Sequence, residues 1–450
     1  MAGIKNIGVY IPATCFTEAV LKRIKGERRI GNYDEDSLTM GFSSLEGMEV
    51  KDVKEVYFIS STPPFHIRSP SSFIATALDI EKNCKAFDVM GGGKSVIDLF
   101  SKSLETDSSV LIILSDKRKY RVDTPDFYSS GDAAVSFLLS KDNPPIEIIS
   151  SKSISYESLS EWKDEEDKEI KTSESKAEYD LRKEMMRECL EIAVKESGLK
   201  KEEIFRVFLP FSDFRLSLEI GSACGFSKSQ VYSNRLLNLT GWTGSVHPFL
   251  EFVYSLETED MEERFVVLSG SGGGFSACAL KVKSNAKSSI KKGINECSKR
   301  RFEIKDLTIL YKITGDIKYE KVKPFSPIPL HYREIEECIK LKAQKCSRCS
   351  AIQYPWRYLC YKCESTDFEL IPLSRKGKIY TFTRDYLNPV PIQPLVMAVV
   401  ELEGGGRFYG QMTDVNPQEV KIGMDVSLTL RRLHEGGDFV NYFWKITPVS

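Results

Sequence analysis

The stretch Cys346-Ser-Arg-Cys349-Ser-Ala-Ile-Gln-Tyr-Pro-Trp-Arg-Tyr-Leu-Cys360-Tyr-Lys-Cys363 sets the frame for reading the rest of the chain. Each Cys-x-x-Cys pair folds into a tight knuckle that aims two sulfurs at one point. Two knuckles joined by a hairpin bring four thiolates into a tetrahedron, the closed shell of a structural zinc. Cys346, Cys349, Cys360 and Cys363 are therefore the expected metal ligands. The alternatives are four unrelated buried cysteines or a redox pair. The second needs a thioredoxin-like surround that the polar turn residues do not supply.

Working outward, a helix is expected at Tyr332–Gln344, leading into the knuckles. Beyond them come short alternating segments punctuated by Gly, Pro and Asn: Gly377–Phe382, Leu395–Glu401, Arg407–Met412, Val426–Leu430 and Asn441–Ile446. Such strands make a small closed barrel. This places a helix plus ribbon at 325–370 and a barrel at 371–450. Upstream, 284–324 reads as a linker. Its basic part, 284–302, carries Lys291-Lys292 and Lys299-Arg-Arg301. Isolated charge runs face water, so a linker or exposed helix is expected there, with nucleic-acid contact the lesser reading.

Residues 1–283 alternate between strand and helix patterns. Strands are expected at Ile4–Ile11, Val53–Ser60, Ala86–Val89, Val110–Ser115 and Ala133–Leu139, and again at Val207–Leu209, Phe265–Gly270 and Phe275–Val282. Helical spacing marks Lys94–Leu104, Leu181–Glu196, Leu216–Cys224 and Ser245–Leu256. The two sets follow one order, and Gly131-Asp132-Ala-Ala-Val-Ser-Phe-Leu-Leu echoes Gly273-Gly274-Phe-Ser-Ala-Cys-Ala-Leu. The expectation is a duplicated α/β layered sandwich with halves at about 1–150 and 180–283. The Glu-, Lys- and Ser-rich segment Ser151–Asp180 between them reads as a solvated loop with a helix start near its end.

A formal charge of −1 over 450 residues gives no bulk attraction to nucleic acid or membrane. No apolar run is long enough to span a bilayer, and the N-terminus lacks a signal-peptide layout. Eleven cysteines, an odd count, fit reduced thiols and a cytoplasmic location.

The run Ala86-Phe87-Asp88-Val89-Met90-Gly91-Gly92-Gly93-Lys94-Ser95 resembles the nucleophile turn of the thiolase superfamily, in particular ketoacyl synthases and 3-hydroxy-3-methylglutaryl-CoA synthase. Asn6-Ile-Gly-Val-Tyr-Ile-Pro12, Tyr33-Asp-Glu-Asp-Ser-Leu-Thr-Met40, Gly131-Asp132-Ala133-Ala134, Gly241-Trp-Thr-Gly244 and Ser269-Gly-Ser-Gly-Gly-Gly274 are similar to other family segments, in the family's order. The resemblance implies a thiolase-like fold over 1–283 and Claisen chemistry. That chemistry needs a thiolate at a helix N-terminus and a His with an Asn or second His to polarise the thioester.

The matching positions do not carry those groups. The nucleophile's place, five residues after Asp88, is Gly93. The family His should fall in Leu209-Pro210-Phe211-Ser212, with Phe211 or Pro210 in its place. The family Asn falls on Trp242. Cys84 precedes the strand at its far end and is either a displaced nucleophile or an ordinary thiol. His247 reads as a packed or exposed histidine in its helix. Gly91-Gly-Gly-Lys94 fails the Walker spacing, because Asp88 stands where a Gly is needed. It is either a phosphate cradle or, better, a tight strand–helix turn.

From about 325 onward the chain is similar to the acyl-CoA-associated zinc-ribbon and OB-fold family. The similarity rests on the quartet with Tyr354-Pro355 and then on Gly377-Lys-Ile-Tyr-Thr-Phe-Thr383, Ala398-Val-Val-Glu-Leu-Glu403, Arg407-Phe-Tyr-Gly410 and Ile422-Gly423-Met-Asp-Val426. That resemblance implies docking on a thiolase-fold partner and, in some members, contact with coenzyme A or acyl-CoA. Together the two implied halves point to a non-catalytic or altered subunit or scaffold for an active thiolase or synthase, as a homodimer or heterodimer. A second expectation is a thiolase-fold enzyme without the cysteine, condensing or cleaving acyl-CoA by retro-aldol chemistry with tyrosines, Tyr120, Tyr128 or Tyr232 being candidates by residue type. A third is a nucleic-acid-binding zinc-ribbon/OB protein.

Overall fold

The first strands of two repeated half-sheets, Gly3–Tyr10 and Ile146–Ser155, lie side by side and join those halves into one sheet. The computed structural model describes residues 2–449 except 22, 106–107, 165–166, 174, 322–323, 325 and 437–438. The chain divides into two compact units. One comprises Met1–Gly31, Asp36–Ala75 and Ile80–Lys299; the other comprises Asn32–Glu35, Thr76–Asp79 and Arg300–Ser450.

In the first unit, the first half contributes, in chain order, Gly3–Tyr10, Glu55–Ser60, Lys85–Met90, Val110–Asp116 and Ala133–Ser140. The second contributes Ile146–Ser155, Ile204–Phe208, Val231–Tyr232, Arg264–Ser271 and Gly274–Val282. Numbered one to five, both halves lie in the same spatial order, 3-2-4-5-1, mirrored about the seam. Within each half, strands three, two and four run parallel, and strand five returns antiparallel. Parallel strands are covered on both faces, which is why Val110–Asp116 is buried along its whole length and reads as an unbroken apolar run. The helix Gly93–Ser103 buries Val96, Ile97 and Phe100 in the main core. The helix Lys176–Ser197 is capped by Ser175, which accepts from the Glu178 N–H at 3.1 Å, and ends at left-handed Gly198.

Three expectations change. Ser151–Ser155 is not loop; it completes the ten-residue strand Ile146–Ser155, so the second repeat starts there and not near 180. The strand's outward residues are Glu, Ser and Lys, which masked its period. The remainder carries a small hairpin, Glu161–Trp162 with Lys171–Thr172; residues 165, 166 and 174 of this segment lie outside the described residues. Part of the expected linker is also structured. Ile290–Lys292 pairs parallel to Gly3–Tyr10, and Ile294 and Cys297 of the helix Ile294–Lys299 are buried. Lys292 is not solvated either, because its ammonium meets Glu46 at 2.6 Å.

In the second unit, the expected helix Tyr332–Gln344 is shorter. An α-helix at Ile328–Arg333 and a π-turn at Ile335–Ile339 give way to the strand Lys342–Cys346, which pairs with Ile352–Gln353 and Phe368–Pro372. Residue 325, the expected start of this part, lies outside the described residues. Five strands follow: Lys376–Asp385, Leu395–Leu402, Arg407–Gln411, Asp425–Gly436 and Phe439–Pro448. Their order is 3-2-1-4-5, and the Met412–Ile446 bridge closes the ring as 1-2-3-5-4, the OB topology.

The barrel contains a buried charge cluster. Arg431, with no exposed surface, pairs with Glu35 and with Asp414 at 2.6 Å; Lys445 pairs with Asp34 at 2.9 Å. Asn32 ties in by donating to Asp414 at 3.0 Å. Burial alone would raise the Asp34 carboxyl, but Lys445 and Arg431 overcome it and hold that group below the usual carboxylate range. Removing one partner leaves an uncompensated buried cation. Asp34→Asn should therefore cost the barrel unit about 3–5 kcal/mol in urea unfolding. Because the folded value is depressed, Asp34 contributes fully above pH ~4, where the unfolded carboxylate is ionised. That contribution fades as pH falls through the lower folded value, so the variant and the parent should converge in acid.

Candidate functional site

The strand Lys85–Met90 turns through Gly91 and Gly92 into the helix Gly93–Ser103. A Cβ at Gly93 would sit 2.7 Å from the Phe249 ring, 2.9 Å from the Ser245 carbonyl oxygen and 3.2 Å from the Cα of Gly270. A Cβ at Gly92 would meet the Ser271 carbonyl at 2.7 Å. The turn thus has no room for a side chain where the resemblance places the nucleophile. Phe249 is itself fixed, buried and edge-on to Phe137 at 5.7 Å between centroids. Lys94 is held within its own helix. Its ammonium bends back to Asp98 at 2.7 Å, and Asp98 also accepts from Ser276. The geometry is that of a tight packing turn, not of a phosphate cradle.

The turn bearing Trp242 reaches Gly93 through Ser245, whose hydroxyl donates to Asp116 at 3.0 Å. The Trp242 backbone is bracketed, its N–H donating to Ser129 at 2.7 Å and its carbonyl accepting from Gly131 at 2.9 Å. Its ring packs against that of His247, tilted by 41°, with centroids 4.6 Å apart. His247 is buried; Nδ1 lies 3.2 Å from the Thr243 hydroxyl and Nε2 lies 3.2 Å from Glu251, which also accepts from the Leu236 N–H. It is a packed histidine, as its place in the sequence suggests. Phe211 belongs to a different core cluster, edge-on to Phe275 at 5.6 Å with the Arg182 guanidinium over its ring. The fold therefore brings Gly93 to the turn that carries Trp242, while Phe211 packs in the other cluster.

The remaining candidates do not converge. Cys84 sits at the far end of its strand, and burial, with Glu55 nearby, raises its thiol above the ordinary value, against thiolate character. Tyr120 is buried against Arg118 and Glu161, and burial pushes its hydroxyl well up. Tyr128 bonds Asp123 at 2.5 Å on the surface. Tyr232 is buried beneath the Arg235 guanidinium, 4.2 Å from its ring centroid, and burial pushes its hydroxyl up to about 12. Three tyrosines with three separate sets of neighbours do not make one reaction centre. The residues that sequence reasoning passed over are Arg118 and Glu161. Each stands in a charged run that looks solvated, and only the fold buries the first against the second.

In the ribbon, the four sulfurs lie within 4.8 Å of one another. The two knuckles repeat one pattern. Ser350 N–H bonds the Cys346 carbonyl at 2.9 Å and Glu364 N–H bonds the Cys360 carbonyl at 3.0 Å, with Ser350 and Glu364 both left-handed. The Lys362 N–H points at the Cys360 sulfur at 3.5 Å. Backbone donors of this kind lower the Cys360 thiol, and those at Arg348 and Cys349 outweigh burial to bring Cys346 to about 6. Four converging sulfurs, two of them with lowered thiols, suit a tetrahedral zinc, which holds sulfur at about 2.3 Å.

Comparison with known proteins bears on both units. Residues 339–369 match the family described as ChsH2, rubredoxin-like zinc ribbon domain, and residues 370–431 match ChsH2, C-terminal OB-fold domain. A DUF35 domain-containing scaffold protein of Methanocaldococcus jannaschii is 39% identical over 125 residues, which are 26% of this chain and 89% of that protein. Benzoylsuccinyl-CoA thiolase subunit BbsA of Geobacter metallireducens is 28% identical over 131 residues, 27% of this chain and 88% of that one. Among solved structures, an HMG-CoA synthase complexed with CoA aligns with TM-score 0.62 at 15% identity, covering 73% of this chain and 95% of its own. The 3-oxoacyl-[acyl-carrier-protein] synthase III of Aquifex aeolicus aligns with TM-score 0.54 at 18% identity, covering 62% and 100%. At those identities the structures establish the thiolase-like fold and nothing further.

Two measurements follow from this geometry. Gly93→Cys should lower stability by about 1–3 kcal/mol through overpacking, and pairing it with Phe249→Ala should recover less than Phe249→Ala alone loses, as read in denaturant titrations. Treating the protein with a strong chelator and a colorimetric indicator should release one zinc per chain, with loss of protease resistance confined to the ribbon region.

Proposed function

We propose a scaffold's role for this chain, which belongs through its C-terminal quarter to the DUF35 domain-containing scaffold proteins. In this reading the thiolase-like body has given up covalent catalysis, and the fused ribbon and barrel help hold an active thiolase or synthase of the acyl-CoA system in the cytoplasm. The observation that carries it is the filled turn at Gly93. A body that lost only its cysteine would keep a hollow for the acyl group, whereas here Phe249 and the Ser245 carbonyl stand in the space a nucleophile's Cβ needs.

A docking edge supports the same reading. The strand Lys85–Met90 is the outermost of its half-sheet, with Met90 81% exposed and Phe87 half-exposed. An unpaired strand edge with apolar side chains is a template for a second sheet. A second thiolase-fold body, from another copy or an active homologue, fits that edge. The names of the relatives, a scaffold protein and a thiolase subunit, agree with such an arrangement.

The test is acyl transfer. Purified protein incubated with radiolabelled acetyl-CoA and quenched in acid should carry no covalent label, and co-expression with a thiolase-fold homologue should give a complex that Met90→Arg weakens. A covalently acylated protein would falsify the scaffold reading.

A further inference from the structure

We infer that Arg118 and Tyr120 form a buried receptor for a carboxylate, which Glu161 fills from within the chain. Arg118 is 2% exposed in its side chain and Tyr120 is buried. The Arg118 guanidinium lies against Gly244, which has φ +61° and no side chain; a Cβ there would overlap Nη1. Gly244 follows Trp242 by two residues, so the cation occupies the turn from which the family's polarising amide is missing. Arg118 Nε donates to the Tyr120 oxygen at 3.1 Å, and Nη2 donates to the same oxygen and to Glu161 at 2.6 Å. The Tyr120 hydroxyl donates to the same Glu161 oxygen at 3.2 Å. A cation and a phenol thus converge on one carboxylate oxygen.

The two sides of this pair are built differently. The receptor is sunk in the core. The backbone N–H of Arg118 is itself held by buried Asp132 at 2.7 Å. The carboxylate comes from the short hairpin Glu161–Trp162 with Lys171–Thr172, and Glu161 keeps 40% of its side chain exposed. Further ties from this hairpin region to the same loop are the Ile170 N–H to the Lys119 carbonyl at 2.8 Å and the Thr172 hydroxyl to Asp126 at 2.9 Å. A buried guanidinium needs an anion, and its planar fork matches any carboxylate that reaches it. A buried fork facing a partly exposed ligand arm suits exchange with an external carboxylate, whether a small acid or a carboxylate-bearing acyl group. This inference does not depend on the scaffold reading, since a scaffold and an enzyme alike can hold such a ligand.

The experiment uses the full chain, with succinate, acetate and inorganic phosphate as probes at constant ionic strength, followed by calorimetry and thermal midpoint. Glu161→Gln should bind succinate or acetate saturably, about tenfold more tightly than the parent protein. Adding Tyr120→Phe should weaken that binding several-fold, and adding Arg118→Met should abolish it. If Glu161→Gln does not fold, Glu161→Asp, whose shorter arm retreats from the fork, takes its place with the same expectation. A folded variant without saturable carboxylate binding overturns the proposal. So does binding that Tyr120→Phe leaves unchanged, or phosphate binding as tight as that of the carboxylates.

Discussion

The two halves of the thiolase-like body meet backbone to backbone where Gly93, at a helix N-terminus of one repeat, touches Gly270 on a strand of the other. Neither position tolerates a Cβ at this separation, and Phe249 closes the remaining side. This close approach seats the helix Gly93–Ser103 in the core and ties the turn of Ser245 to Asp116. The contact that lets the repeats approach so closely leaves no room for a side chain at Gly93.

Aromatic rings and a guanidinium pack closely around the same turn. Trp242 packs tilted against His247, and Arg118 lies against Gly244. The buried Arg118 cation is neutralised locally by Glu161. The barrel unit follows the same rule with Arg431 and Lys445, whose carboxylates include Asp34 and Glu35, nearly four hundred positions earlier in the chain. An interior cation is costly unless a carboxylate comes with it, so these pairs constrain which segments must fold together.

Much of the architecture was legible because its signals are local. The strand Val110–Asp116 announces itself as an unbroken apolar run, the helix Gly93–Ser103 by its period, and the barrel strands by alternation between turn residues. The strand Ile146–Ser155 was not legible, because its outward face is Ser, Lys and Glu and it runs straight into a charged insertion. Lys292 looked solvated for a similar reason: nothing nearby in sequence shows that Glu46 waits for it. The tyrosines could be proposed by type alone, but whether they share a pocket depends on strand order, and they do not.

By itself the sequence determined the four zinc-ready thiols and the repeated α/β pattern, since each of these is written in residue identity and short-range spacing. Only the tertiary structure decided that the space at Gly93 is filled, that Phe211 packs edge-on to Phe275, and that Arg118 is buried against Glu161. Those outcomes depend on side chains far apart in the chain meeting within a few ångströms, and no local pattern encodes such a distance.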